Sequence, residues 1–122
     1  MYAFGSRRRE LRNYIFGEGH IEKTLPSDAD IGVKISPGQG LSVRDKVELT
    51  IELEDFFDVN RVDLVILAEA DPFVAANVIR GERLYAEDTY RADEYDLYIL
   101  RRAGDCAHLE RERLRLIFGE PV

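Results

Sequence analysis

From Asp28 to Ile35 the chain alternates strictly. Ala29, Ile31, Val33 and Ile35 fall on one side and Asp28, Asp30, Gly32 and Lys34 on the other, the period-two pattern of a strand with one buried face. Val62 to Leu67 is apolar throughout except at Asp63, and predicts a buried strand. Tyr2 to Phe4 predicts a short strand that ends at Gly5-Ser6, with a helical turn or two over residues 7 to 15. Phe16 to Ser27 carries Gly17, Gly19 and Pro26 and reads as a loop, and Pro37 to Gly40 ends the alternating strand. KVELTIELE satisfies two periods at once: it alternates from Val47 to Leu53, yet it follows a Ser42-x-x-Asp45 capping box and pairs Val47 with Ile51 and Leu49 with Leu53 at helical spacing. The length and the cap favour a helix from Ser42 to Phe56, with all four residues on a broad core-facing stripe. Asp71 as N-cap and Pro72 at the first position begin another helix, which ends near Gly81. A short strand over Arg83 to Tyr85 and a helix over 92–118, interrupted or kinked at Gly104, complete the pattern. Strands and helices thus take turns, predicting an α/β (α+β) fold: a small mixed sheet flanked by helices, with a long C-terminal helix.

Composition sets bounds on what this frame can carry. At 122 residues the chain is expected to form a single domain, 1–122, with its own core. A formal charge of −7 argues against a broad nucleic-acid surface, which needs a basic face, so no direct nucleic-acid partner is expected. No apolar run approaches a membrane span, and the start passes from MYAFG straight to arginines without a signal-peptide core, so a cytoplasmic location without membrane attachment is expected. One cysteine, Cys106, and two histidines give neither an internal disulfide nor zinc-site spacing. The sequence leaves homo-oligomerisation open.

The carboxylates supply candidate chemistry. Asp28 and Asp30, two apart on a strand, leave the same face about 7 Å apart and can converge on a hard cation. The wet face of an edge strand gives the same pattern. Asp63 lies within an apolar run, where an unpaired carboxylate is costly to desolvate, so a cation or donors should meet it. If the two strands are neighbours, three like charges share one place, and Mg²⁺ would relieve their repulsion. Gly5 lets the backbone approach phosphate oxygens, Ser6 offers an N–H and a hydroxyl, and Arg7, Arg8, Arg9 and Arg12 follow with positive charge. A run of arginines is otherwise a solvated helix face. Tyr85, Tyr90, Tyr95 and Tyr98 read as core or interface packing, Cys106 as a small buried residue, and His20 as an exposed loop residue. Glu48, Glu52, Glu54 and Asp55 read as a solvated face that can also steer a basic partner.

FGSR, then SDADIGV, then RVDLVIL after a helix, followed by GERLYAED and a helix containing YILRRAGD, resembles the minimal nucleotidyltransferase (MNT) family of the polymerase-beta superfamily. The resemblance implies the nucleotidyltransferase fold. It also implies that Asp28 and Asp30 hold one or two Mg²⁺ ions, that Asp63 completes the second metal site and acts as general base, and that Gly5, Ser6 and Arg7 bind the outer phosphates of ATP. In bacterial and archaeal members it implies an antitoxin that adenylylates a tyrosine of an all-helical HEPN partner toxin. The alternative is an inactive module of the same fold that neutralises its partner by binding alone. Two features depart from the family pattern: the spacer from Arg7 to Ser27 spans 21 residues, about twice the usual length, and a helix usually precedes the Gly-Ser strand.

Overall fold

A computed structural model describes residues 1–17, 28–36 and 40–118. Strands β1 (Tyr2–Phe4), β2 (Ala29–Val33), β3 (Val62–Ile66) and β4 (Glu82–Arg83) form one sheet in the order β3-β2-β1-β4. β2 and β3 run parallel, and β1 is antiparallel to both β2 and β4. The parallel pair requires a crossover, which helix α2 (Val43–Phe57) provides. Helices α1 (Arg8–Ile15), α3 (Pro72–Ile79) and α4 (Thr89–Phe118) complete the chain, with a 3-10 turn at Leu67–Glu69. This is the mixed α+β architecture expected from the sequence.

Each face of the sheet closes a separate core. Ala3, Ala29, Ile31, Val33 and Val62 pack with Leu11 of α1 and with Leu53 and Phe57 of α2. On the other face Tyr2 packs with Ala75, Ala76 and Val78 of α3 and with Ile99 and Ala103 of α4. Alternation along the strands divides the side chains between these layers. Gly32, expected on a wet face, is buried there because α3 presses on it: a Cβ at Gly32 would run into Val78 Cγ1.

The caps form as the sequence predicts. Ser42 Oγ accepts from Asp45 N at 3.1 Å while Asp45 Oδ2 accepts from Ser42 N at 3.2 Å, and Asp71 Oδ1 accepts from Phe73 N at 2.9 Å and Val74 N at 3.0 Å. Some expectations need correction. Only Leu49, Leu53 and Phe57 of α2 face the core, while Val47 and Ile51 are each 52% exposed, because residues two apart on a helix lie on opposite sides of it and cannot share one buried stripe. Helix α4 runs uninterrupted through Gly104, and its 30 residues far outreach the 8 of α3. An interior glycine costs only about 1 kcal/mol, which a helix docked through Ile99 and Ala103 absorbs. Of the four tyrosines expected to pack in the core or at an interface, Tyr95 packs against the core, and Tyr85, Tyr90 and Tyr98 lie on the surface. Cys106 is half-buried on α4. His20 and the loop around it lie outside the described residues.

Candidate active site

Sheet register decides which acids meet. Asp30 of β2 is the Cα partner of Asp63 in β3, and Phe4 of β1 is the partner of Asp30. Partners on adjacent parallel strands share a face at the strand spacing of about 4.8 Å. Asp28 stands one residue before β2, two positions from Asp30 and of the same parity. Three carboxylates from two neighbouring strands therefore gather at one end of the sheet.

The electrostatics record this crowding. Burial pushes the Asp30 carboxyl above the ordinary carboxylate range, and the negative charges of Asp63 and then Asp28 push it further. All three groups offer the hard oxygen ligands that suit Mg²⁺, and their mutual repulsion is what a divalent cation would relieve. As donors they fit the ion. Among the described residues, however, no three such side chains close into a ready cage. Asp28 Oδ2 leans to Arg61 Nε at 3.5 Å, and Asp63 is exposed. The exposure corrects the expectation that Asp63 is desolvated: β3 is the edge strand of the sheet, and the Asp63 side chain opens to water although Val62 before it is buried.

Gly5 fits this corner for two reasons. Its φ of 77° lies in the left-handed region, and a Cβ there would run into Asp30 Oδ2. The turn between β1 and α1 thus brings its backbone directly against the central carboxylate, with Ser6 exposed beside it. Arg7 is placed differently from the expectation that it reaches phosphate. Only 5% exposed, its guanidinium bonds Glu10 through Nε at 3.0 Å and Nη2 at 3.3 Å, within α1. Arg8 is the cation at the turn, its Nη1 donating to Gly5 O at 3.0 Å. The sequence marked the arginine run but not which member faces the glycine; the helical phase of α1, which opens at Arg8, decides that.

A cavity of about 630 Å³ lies elsewhere, lined by residues such as Tyr2, Lys34, Tyr85 and Arg91. It sits at the opposite end of β1 and β2 from the carboxylates. Its lining mixes Lys34 and Arg91 with Glu87 and Asp88, so opposite charges share the same wall. The carboxylate corner carries the sharper chemical signal, since like charges are held together there.

The sequence matches no known family profile and no curated protein. Solved structures do match the fold. One is a toxin–antitoxin complex with AMP-PNP, at 27% identity and a TM-score of 0.58, with 97% of this chain and 82% of that chain covered. Another is a mutant of the MntA-HpeT toxin–antitoxin pair, at 24% identity and a TM-score of 0.59, covering 97% and 81% of the respective chains. A third is the tri-AMPylated Shewanella oneidensis HEPN toxin in complex with MNT antitoxin, at 22% identity and a TM-score of 0.59, covering 97% and 78%. The resemblance to minimal nucleotidyltransferases drawn from the sequence is met again in these toxin–antitoxin structures. Among the described residues no helix is long and apolar enough to cross a membrane.

Proposed function

We propose that this chain is a Mg²⁺-dependent nucleotidyltransferase of the minimal type, acting as an antitoxin by moving AMP from ATP to the hydroxyl of a tyrosine of a HEPN-type helical partner, with the α–β phosphoanhydride broken and pyrophosphate released. One observation carries the reading: Asp30 is held between Asp63 and Asp28, hard against the Gly5 turn, at a cost in electrostatic energy that a binding module has no reason to bear. Support comes also from the AMP-PNP bound in one complex of similar fold and from the AMPylated partner in another.

Asp28, Asp30 and Asp63 would hold the metal, which when bound supplies charge neutralisation for the phosphates and lowers the pKa of the attacking hydroxyl. The Gly5 turn and the Ser6 hydroxyl bind the outer phosphates, and Arg8 adds positive charge at that turn. Asp63 accepts a proton from the incoming hydroxyl, a role that its exposure at the sheet edge supports. Arg7 is engaged locally by Glu10 at the start of α1.

A second reading, neutralisation by binding alone, is favoured by the Arg61–Asp28 contact, which satisfies Asp28 without a metal. Incubation with labelled ATP, Mg²⁺ and a copurifying helical partner separates the two. Transfer predicts label on a partner tyrosine that disappears with Asp28→Ala and Asp30→Ala. Absence of label, with neutralisation surviving both substitutions, would sink it.

A further inference from the structure

We infer that the outer face of α2 and the free edge of β3 form a docking groove for a basic amphipathic helix of the partner protein. The inference rests on the partner-modifying reading above and adds where the partner sits. The groove encloses about 510 Å³, with Val43, Val47 and Ile51 on one wall and Leu64 and Ile66 on the other. Val43 is 78% exposed and Val47 and Ile51 each 52%. At spacing i, i+4, i+8 they form one ridge, the unit by which helices interdigitate. A ridge of three β-branched residues facing water is a poor use of a helix whose core face is already supplied by Leu49, Leu53 and Phe57.

Charge identifies the occupant. Beside the ridge on the same helix lie Glu48, Glu52 and Asp55. Arg44 engages Glu48 at 3.1 Å, and Lys46 crosses the groove to Glu69 at 2.8 Å. Glu52 and Asp55 have no ion-pair partner among the described residues. An apolar floor with an acidic rim matches a helix that carries lysine or arginine along its apolar stripe. An extended strand fits less well, because Glu54 Oε1 accepts from Val62 N at 3.4 Å and so occupies part of the β3 edge.

Position links the groove to the chemistry. It follows β3 from Ile66 towards Leu64, and Asp63 is the next residue on that strand, turned to the opposite face. A helix seated there ends beside the carboxylate corner, so a side chain carried just beyond it reaches around the sheet edge. Asp63 is exposed and so open to such an approach.

The probe is a peptide helix of about 18 residues, roughly 27 Å long, with a leucine stripe flanked by lysines. Two controls accompany it, one with glutamate in place of every lysine and one interrupted by proline. Titrated into the ¹⁵N-labelled full chain, the basic helix should shift amides in 43–51 and 64–66, and bind at least tenfold tighter than either control. Val47→Asp with Ile51→Asp should weaken it at least tenfold, and Glu52→Lys with Asp55→Lys severalfold, with unchanged thermal midpoints because all four side chains are exposed. Equal affinity for the acidic or proline peptide, shifts clustered elsewhere, or undiminished binding by the Val47/Ile51 variant would overturn the inference. Asp30→Asn should leave this binding intact. Loss of transfer in the native chain with groove binding retained would therefore count against the enzymatic reading alone.

Discussion

The two ends of the sheet handle charge in opposite ways. At the far end Arg83 donates to Asp96 at 2.6 Å and to Asp93 at 2.9 Å, and the Tyr2 hydroxyl donates to Asp96 at 2.5 Å. Burial and then the bond to Asp96 raise the Tyr2 hydroxyl above its ordinary range, and the Asp96 bond raises Arg83 despite its desolvation. Plus and minus meet there, and only Arg83 Nε is buried without a partner among the described residues. At the near end three acids share one face, and among the described residues Arg61 reaches the outermost alone. Compensated charge joins β1, β4 and α4 into one body. Uncompensated charge does nothing for folding and is what a cation-binding corner requires.

That contrast can be tested by substitution. Asp30→Asn should cut partner labelling on the order of a hundredfold or more, yet raise the thermal midpoint of the metal-free protein at neutral pH. The sign follows from the raised Asp30 pKa. The folded state holds that proton more tightly than the unfolded chain, so the Asp30 contribution to stability is greatest in acid and is lost as pH rises through the raised value. The gain from asparagine should therefore vanish in acid, as calorimetry across pH would show. Asp96→Ala should do the reverse, costing about 2 to 3 kcal/mol in denaturant melts by stranding Arg83 and Tyr2, while the folded fraction still labels its partner.

Smaller effects sharpen the picture. Gly5→Ala should cost about 1 to 2 kcal/mol for its left-handed backbone, and weaken nucleotide binding measured by calorimetry, because the new methyl displaces Asp30. Arg61→Gln should change stability by less than about 1 kcal/mol, since its side chain is 72% exposed. It should tighten divalent-ion binding by about twofold, as expected for removal of a solvent-screened competitor of Asp28. Unchanged ion affinity would show that Arg61 and the ion do not compete.

Local rules wrote much of the fold into the sequence. The Ser42-Asp45 box and the Asp71-Pro72 start satisfy backbone donors within a single turn of helix, so they act wherever the chain lies. Alternation set the shared parity of Asp28 and Asp30, and Gly5-Ser6 marked the turn. The sequence by itself thus determined the order of elements and the residue types brought to the corner. Only tertiary structure decided how they meet. β3 was legible as apolar but not as an edge, because an edge is defined by the strand that does not follow. Arg7 and Arg8 are equivalent in sequence until the phase of α1 buries one against Glu10 and turns the other to Gly5. Val47 and Leu49 are equally apolar but lie on opposite sides of the helix, and only the rotation at which α2 docks on the sheet determined which one is covered. Pairing and coverage depend on residues far apart in the chain, and hydrophobic periodicity carries no information about them.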